Sequence, residues 1–549
     1  MRQSSTFGTL LALASVAIAS PGLRPAITRR QSPTNDMGTV DPPIAFDWAS
    51  ISACVDLNWV DCYTPPFKCA RLSVPLNYSD PTTDGLASVA LITHPSPLAN
   101  TSDYRGPILV NPGGPGGSGV EFVLGASEYL RGLFGDEFDY IGFDPRGVGE
   151  TTPKLNYTTD PLERLAYGKR FLELVDLSEE TWPTLPQRIE ELAENGKESK
   201  ELRGDVLRYA STDNVARDMM RIIEAHEYGG DKLQYYGISY GSVLGSVFAT
   251  LFPDNVERVL IDGVVDQVGY FADDWSGAFV DTEQVFQWFL SSCLSAGPDL
   301  CAFHANTTEA LLSRYSAIED LILSGTLVYP DAPDRVVQLP HVQLLAFNLM
   351  YTPPTGFPAI AEALVALENG IVPFTAEVLD NIGWALSQTG GLACSDTKLA
   401  QRTEEEMKEY AVNVRNVTEH LTALPSFSGA WCSGWEIESD NFKGPMGANT
   451  SVPLLMVGNT ADTITPLIAA QENSARFPGS RVLTYDAPGH ATLAFPGNEC
   501  IAIHFRAYMV NGTLPEEGTV CEETRPFFTA AANVTGGEVV QAVVKRSVL

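Results

Sequence analysis

Positive charge is scarce in this chain of 549 residues: 35 lysines and arginines stand against 68 aspartates and glutamates, a formal net charge of −33. A surface this acidic repels phosphate backbones, so the composition argues against a nucleic-acid-binding protein. Anionic membrane surfaces are disfavoured as partners for the same reason. The charge balance indicates a soluble protein suited to mildly acidic surroundings.

Long apolar runs are absent after the N-terminus, and no later stretch reaches the ~18 residues that a membrane span needs. The N-terminal segment has the features of a signal peptide: Arg2 precedes the apolar run Phe7 to Ala19, which ends in the small-x-small pattern Ala17-Ile18-Ala19. Arg29-Arg30 then offers a dibasic processing site. We expect residues 1–30 to be a signal peptide and a possible propeptide, whose removal takes the charge from −33 to −37.

The chain contains no Cys-x-x-Cys pair and no Cys/His cluster with the spacing of zinc ligands, so we expect no metal site and no cofactor. Its nine cysteines indicate disulfides formed in an oxidising compartment. Sequence alone leaves the connectivity open, but close spacing favours three pairs: Cys62 with Cys69, Cys293 with Cys301, and Cys500 with Cys521. Cys394 with Cys432 is then the remaining pair, and Cys54 is left free. Eight glycosylation sequons also agree with secretion to the extracellular space: Asn77, Asn100, Asn156, Asn306, Asn416, Asn449, Asn511 and Asn533.

The order of strand-like and helical patterns predicts the fold class. Short apolar runs alternate with helical patterns over residues 41–265, which is typical of βαβ units and a parallel sheet. The alternation lapses over residues 266–440, where apolar residues recur at helical spacing, and it resumes in residues 441–549. We therefore predict an α/β fold whose mostly parallel sheet has helices on both faces, with a core in two parts (41–265 and 441–549) and an inserted helical lid (266–440).

The clearest chemical motif is Gly237-Ile238-Ser239-Tyr240-Gly241, which satisfies G-x-S-x-G. A β-like run precedes it and a helical pattern follows it, which is the context in which this motif forms a strained turn presenting a nucleophilic serine. A serine is a weak nucleophile and needs a base that is oriented by an acid. We predict Ser239 as the nucleophile.

The base and the acid follow the nucleophile along the chain in folds of this kind. Of the seven histidines, His490 alone follows both the nucleophile and a predicted strand, in a loop where a mobile imidazole can reach the serine. Asp462 follows a buried-looking strand and precedes His490 by 28 residues, which makes it the predicted acid. Asp262, at the end of the strand after the nucleophile helix, is the alternative.

A glycine-rich loop, Gly113 to Gly117, follows an early strand. It lacks the Gly-Lys-Ser/Thr ending of a phosphate-binding loop, so it does not indicate a nucleotide site. Its position predicts an oxyanion hole, in which the backbone N–H groups of Gly114 and Tyr240 stabilise the tetrahedral intermediate.

Several motifs in this order resemble the α/β-hydrolase fold in its proline iminopeptidase and tripeptidyl aminopeptidase branch. The segments that carry the resemblance are Asn111–Gly119, Phe143–Gly149, Tyr236–Gly241, Phe252–Asp254, Asp262-Gly263, Gly458–Pro466 and Gly489-His490. Cys394–Asp396 and Cys432–Trp435 resemble the tripeptidyl aminopeptidase-like subgroup, whose C-terminal part runs from about there to the end of the chain. The resemblance implies Ser239, Asp462 and His490 as a catalytic triad beneath a helical lid. The iminopeptidases usually carry a histidine before the glycines of the oxyanion loop, and this chain has none there.

Together these features predict a secreted serine hydrolase that forms an acyl-enzyme at Ser239. We expect an aminopeptidase that releases short N-terminal units from peptides. The alternative is a carboxylesterase or lactonase acting on small-molecule esters, because the same triad serves both chemistries and the fold does not decide between them. A third interpretation is a catalytically inactive binding protein of the same fold.

Overall fold

The computed structural model describes residues 46–155, 160–226, 228, 230–397, 402–437, 439, 442 and 444–529. The predicted signal peptide therefore lies outside the described residues. Within them, no helix is both long enough and apolar enough to cross a bilayer.

A ten-stranded sheet forms the centre of the molecule, with the strand order β1-β2-β3-β5-β4-β6-β7-β10-β11-β12. A separate hairpin is formed by β8 and β9. The strands are β1 Val60–Asp61, β2 Lys68–Pro75, β3 Leu86–His94, β4 Pro107–Asn111, β5 Asp139–Phe143, β6 Leu233–Ile238, β7 Val256–Asp262, β8 Val328–Tyr329, β9 Ala332–Val336, β10 Leu455–Ala461, β11 Arg481–Pro488 and β12 Val520–Glu522.

Strands β1, β2, β3 and β5 pair antiparallel at one side of the sheet. All pairs from β5 through β4, β6, β7, β10 and β11 to β12 are parallel. All six residues of β6 are buried, as expected for a central strand of a parallel sheet that is covered on both faces. The mostly parallel sheet predicted from the sequence is therefore confirmed.

Helices cover both faces of this sheet. They are α1 Gly119–Phe134, α2 Pro161–Val175, α3 Leu185–Leu207, α4 Thr212–Ala225, α5 Tyr240–Leu251, α6 Gln267–Ala272, α7 Thr282–Ala296, α8 Thr308–Leu323, α9 Leu339–Leu349, α10 Pro353–Glu368, α11 Ala376–Asp396, α12 Glu404–Arg415, α13 Ala423–Ser428, α14 Leu467–Ser474 and α15 Glu499–Asn511.

The alternation of side chains along β4 shows how the two faces are filled. Ile108 and Val110 join a core that includes residues of α1 and α15, whereas Leu109 joins the core on the other face with residues of α4 and α5. Helix α4 follows the predicted spacing, because Val215, Met219, Ile222 and Ile223 are all buried.

The helical insertion between β7 and β10 continues the second of these cores. Helix α2, although it precedes β6 in the chain, packs against α11 of the insertion so closely that Gly168 lies against the Asp380 backbone. The helices of residues 161–207 thus belong to the same helical layer as the insertion.

Four disulfides are present, and their connectivity is the one expected from the sequence: Cys62–Cys69, Cys293–Cys301, Cys394–Cys432 and Cys500–Cys521. Cys54 is unpaired and half-buried. His504 lies near Cys500 and Cys521, but the disulfide leaves neither sulfur available as a thiolate ligand for a metal ion.

The sequons differ in accessibility. The exposed asparagines are Asn100, Asn306, Asn416, Asn449 and Asn511. Asn77 is half-buried, and its side-chain amide donates a hydrogen bond of 2.9 Å to Asp84. Asn156 and Asn533 lie outside the described residues.

Candidate active site

The predicted nucleophile stands at a sharp turn between β6 and α5. Ser239 has φ 58° and ψ −124°, a conformation that costs energy for a residue with a side chain, and it is half-buried. Gly241 cannot carry a side chain here, because a Cβ atom would lie 2.7 Å from the Asn111 carbonyl oxygen. The motif thus forms the tight strand-to-helix turn expected from the sequence, with Tyr240 as the first residue of α5.

The glycine-rich loop after β4 lies directly against this turn. A Cβ atom on Gly113 would come within 2.8 Å of the Ser239 Cβ and 3.1 Å of the Tyr240 backbone nitrogen. Gly113 has φ 102°, and its N–H donates to the Asn111 Oδ1 at 3.0 Å. The loop that contains Gly114 and the N-terminus of α5 are therefore side by side, as an oxyanion hole requires.

His490 and Asp462 are hydrogen-bonded to each other. The His490 Nδ1 lies 3.0 Å from Oδ1 and 3.1 Å from Oδ2 of Asp462. The carboxylate is fully buried and also accepts hydrogen bonds from the backbone N–H groups of Ile464, Thr465 and Ala491. Burial alone raises the pKa of Asp462, but the charge of His490 and these hydrogen bonds outweigh it and hold the pKa below its ordinary value.

Asp262, the alternative acid, is used differently. Its carboxylate accepts hydrogen bonds from the backbone N–H of Thr492, from the Thr492 hydroxyl at 2.5 Å and from the Tyr236 hydroxyl at 3.0 Å. Burial raises its pKa to about 6. Through these hydrogen bonds Asp262 connects the end of β7 to the loop after β11, whereas Asp462 is the carboxylate that contacts His490.

Asp262 and its neighbour connect the turn of Ser239 with the loop that contains His490. The Ser239 N–H donates to the Asp262 carbonyl oxygen at 2.9 Å. The adjacent Gly263 lies so close to Ala491 that a Cβ atom would come within 2.9 Å of the Ala491 Cβ. Ser239, Asp462 and His490 follow β6, β10 and β11, so all three side chains occupy the carboxyl edge of the sheet, where sites of open α/β sheets lie.

Comparison with known proteins bears on the fold. The family model described as alpha/beta hydrolase fold matches residues 106–295, and the model described as TAP-like protein matches residues 424–521. The chain has the α/β-hydrolase fold. The two matches cover the strands that carry Ser239, Asp462 and His490, and the residues between them are mostly the helices of the insertion.

Three relatives extend the likeness over most of the hydrolase. Serine protease Hip1 of Mycobacterium tuberculosis is 28% identical over 504 residues, 85% of this chain and 91% of the relative. The tripeptidyl aminopeptidase of Streptomyces lividans is 28% identical over 502 residues, 86% of this chain and 88% of the relative. Carboxylesterase B of M. tuberculosis is 25% identical over 484 residues, 83% of this chain and 86% of the relative. With this fold and these relatives, the protein is a serine hydrolase.

Thr465 is a site residue of the hydrolase that sequence reasoning did not single out. Its hydroxyl donates to the Asp462 Oδ2 at 2.7 Å and lies 3.1 Å from the His490 Nδ1. The hydroxyl group therefore helps to fix the carboxylate against the imidazole. Thr465 lies three residues after Asp462, in the turn that leads to α14. Its place in this turn is the sequence feature that could have identified it as a site residue.

A buried polar network of the hydrolase joins the nucleophile turn to the insertion. The Tyr240 hydroxyl lies 2.5 Å from the Thr212 Oγ1, which donates to Asp396 at 2.6 Å. Asp396, at the end of α11, also accepts from the Thr212 N–H and from the Tyr270 hydroxyl. Burial raises the pKa of Asp396 to about 6. The network ties α4, α5 and α6 to α11, and it was not predicted from the sequence.

The insertion covers the hydrolase site from two sides. The backbone N–H of His490 donates to the Tyr351 carbonyl oxygen at 3.0 Å. The rings of the two residues meet edge to face with 4.7 Å between their centroids. Pro353, at the start of α10, packs against Gly489. Leu392 of α11 lies beside Gly116 of the glycine-rich loop, where a Cβ atom would be 3.4 Å away. His490 and the glycine-rich loop are therefore both covered by residues of the insertion.

Proposed function

We propose that this hydrolase is a secreted serine aminopeptidase, which releases short N-terminal units from peptides through an acyl-enzyme at Ser239. The likeness to a serine protease and to a tripeptidyl aminopeptidase over most of the chain supports peptides as substrates. The TAP-like family match over residues 424–521 supports the same branch of the fold. The contacts of the insertion with the base and with the oxyanion loop favour a chain end as the substrate.

In the proposed mechanism the Ser239 hydroxyl attacks the scissile carbonyl while the His490 imidazole takes its proton. Asp462 accepts the Nδ1–H of His490, which orients the ring and stabilises the imidazolium that forms. The N–H groups of Tyr240 and Gly114 donate to the oxyanion, and each such donor contributes about 10²–10³ in rate. The imidazolium returns the proton to the leaving amine, and a water molecule then hydrolyses the acyl-enzyme by the same sequence of steps.

The cover that the insertion forms over the site supports a preference for peptide ends. Tyr351 and Pro353 contact the His490 loop, and Leu392 contacts the glycine-rich loop, so helices of the insertion stand over both halves of the catalytic apparatus. A folded protein segment that enters and leaves the site needs two open ends. A short peptide terminus needs only one, which favours exopeptidase action.

An aminopeptidase must also hold the substrate ammonium at a fixed distance from Ser239. We propose that acidic groups of the insertion do this, in agreement with the formal charge of −33 on the full chain. Such groups are partly desolvated beneath the insertion, so a substrate without the ammonium leaves a partly buried carboxylate unpaired. Loss of one partner of such a pair costs about 2–5 kcal/mol, or roughly 30- to 5,000-fold in kcat/KM.

The test is a paired kcat/KM measurement on tripeptide amides with a free amine and with an N-acetyl cap. The proposal predicts much slower cleavage of the capped peptide. Ser239→Ala is the control for contaminating peptidases, since it removes the nucleophile from an otherwise intact site. Equal rates on the two peptides would reject an aminopeptidase.

The second candidate function is a carboxylesterase or lactonase acting on small-molecule esters. The likeness to carboxylesterase B supports it, at lower identity than the likeness to the two peptidases. Fast turnover of short acyl esters combined with equal rates on capped and free peptides would favour this function. An inactive binding protein is the least supported candidate, because the hydrogen bond between His490 and Asp462 is intact.

Secretion is part of the proposal and rests on separate observations. The four disulfides are typical of proteins that fold in an oxidising compartment. Exposed sequons such as Asn306 and Asn416 agree with passage through a secretory pathway. Sequencing the N-terminus of the protein from the culture medium tests this part, with a start after Ala19 or after Arg30 as the expected result.

A further inference from the structure

A fully buried asparagine lies beside the loop of the proposed base. Asn459 is on β10, three residues before Asp462, and its side chain is completely shielded from solvent. Its Nδ2 donates hydrogen bonds to the carbonyl oxygens of Gly489 at 2.8 Å and Ala491 at 2.9 Å. These carbonyls belong to the residues immediately before and after His490, so one amide group is hydrogen-bonded to the backbone on both sides of His490.

The parallel ladder between β10 and β11 becomes irregular at this point. Asn459 is in register with Tyr485, and the register shifts before Ala461 pairs with Pro488. After this shift, one backbone hydrogen bond still joins β10 to the chain after β11, from the Gly489 N–H to the Ala461 carbonyl oxygen at 2.9 Å. Beyond it, the amide of Asn459 holds the loop where regular strand pairing has ended.

The loop needs such support because its backbone is strained. Ala491 has φ 57° and ψ −177°, a combination that residues with a side chain rarely adopt. Conformations of this kind persist only where the surroundings hold them from several directions. The N–H of Ala491 donates to Asp462 at 2.9 Å and its carbonyl oxygen accepts from Asn459, so the strained residue is held at both ends of its own backbone.

The hydrogen bonds of Asn459 point to a role in the site beyond its contribution to stability. Among the described residues its Oδ1 has no hydrogen-bond partner, although the atom is buried. A buried and unsatisfied polar atom lowers stability. Only the two N–H donors of the side chain are used, and both act on the loop of His490.

We propose that Asn459 is a positioning residue for His490. The proposal rests on the proposed function, in which His490 is the general base. Removal of the amide lets Ala491 relax towards an ordinary conformation and moves the imidazole away from Ser239. Because a misplacement of about 1 Å costs on the order of 100-fold in rate, we expect Asn459→Ala to lower kcat by about 10- to 100-fold.

Asn473 provides a matched control within the same chain. It is also a buried asparagine, and its Nδ2 also donates to two backbone carbonyls, those of Val265 at 3.0 Å and Ala469 at 2.8 Å. It lies on α14 and has no contact with the loop of His490 among its hydrogen bonds. Asn473→Ala should therefore lower the Tm as Asn459→Ala does, while its kcat stays within about twofold of the parent.

The experiment measures kcat and KM on a free-amine tripeptide amide and on an aryl ester of the same tripeptide. An amide leaving group must receive a proton from His490, whereas an aryl oxide leaves without one, so displacement of the imidazole affects the amide more. We expect Asn459→Ala to lower kcat with KM changed by less than about threefold, and to lower the amide-to-ester ratio by about tenfold. Asn459→Ser, which retains one hydroxyl donor, should give an intermediate loss and serves if the alanine variant fails to fold.

The proposal would be overturned by a kcat of the Asn459 variants equal to that of the parent, or by an equal loss in Asn473→Ala. An unchanged amide-to-ester ratio would also overturn it, because the loss would then reflect the fraction of folded enzyme. Ser239→Ala, measured in the same series, distinguishes a failure of the proposed function from a failure of the proposed role of Asn459. Retained activity in Ser239→Ala would refute the proposed function, whereas its inactivity beside fully active Asn459 variants refutes the role of Asn459 alone.

Discussion

Asp462 and Asp262 are both fully buried at the carboxyl edge of the sheet, and only one of them contacts His490. Replacement of Asp462 by asparagine keeps the size of the side chain but replaces one carboxylate oxygen by an NH₂ group. The Nδ1 of His490 then loses its acceptor, and the ring is held in the wrong tautomer for proton transfer from Ser239. A change of this kind costs about 10⁴ in kcat.

Asp262→Asn should cost far less. The carboxylate of Asp262 receives its hydrogen bonds from Thr492 and Tyr236, and it makes none with the imidazole. Burial raises the pKa of Asp262 to about 6, so a neutral side chain costs less at this position than at an exposed aspartate. We expect a loss in kcat below about tenfold, from small shifts of the loop after β11.

The assay is kcat on the free-amine tripeptide amide at one pH, with the Tm of each variant as the measure of folding. The comparison is informative because both substitutions remove a buried carboxylate and keep the side-chain volume. A loss near 10⁴ for Asp262→Asn together with a small loss for Asp462→Asn would refute the assignment of the acid. Equal losses would show that the contact between Asp462 and His490 is not what sets the rate.

Three further predictions concern the glycine-rich loop, pH and a disulfide. Gly113→Ala should lower kcat by about 10²–10³, because the new methyl group would lie 2.8 Å from the Ser239 Cβ and 3.1 Å from the Tyr240 nitrogen and so displace the proposed oxyanion donors of Gly114 and Tyr240. Measured kcat and KM check this, and a higher KM with an unchanged kcat would contradict it. Burial raises the pKa of Asp262 and Asp396 from 3.8 to about 6, so the stability these groups contribute is fully present below 3.8 and is lost as the pH rises through about 6. The Tm should accordingly be higher near pH 5 than near pH 7.5, and the slope should decrease in Asp396→Asn. Removal of the Cys394–Cys432 disulfide, whose cysteines are 38 residues apart, should lower the free energy of unfolding by about 4 kcal/mol in denaturant titrations, whereas an unchanged midpoint would show that the bond does not constrain the unfolded chain.

Much of the fold and of the candidate site could be predicted because its determinants are local in the sequence. The turn at Ser239 requires glycine on either side, and a buried strand precedes it, so one short segment carries both signals. His490 and Asp462 follow strands in the same way. Chain order together with the position after a predicted strand restricts the histidines to one candidate, which the structure places beside Asp462 at 3.0 Å.

The remaining features depend on contacts between distant parts of the chain, which no local pattern encodes. The network of Tyr240, Thr212 and Asp396 joins residues up to 184 positions apart. Tyr351 contacts His490 only because the insertion folds back over the site. Asn459 is an ordinary strand residue in the sequence, and its role depends on the strained backbone of Ala491 opposite it.

The central claim is that Ser239 is the nucleophile, and covalent labelling tests it most directly. A fluorophosphonate reacts with an activated serine, so the parent enzyme should carry one adduct, located by mass spectrometry on the peptide that contains Gly237 to Gly241. Ser239→Ala should fold with an unchanged Tm, take up no label and lose roughly 10⁴–10⁶ in kcat. An adduct on another serine, or full activity in Ser239→Ala, would contradict the account.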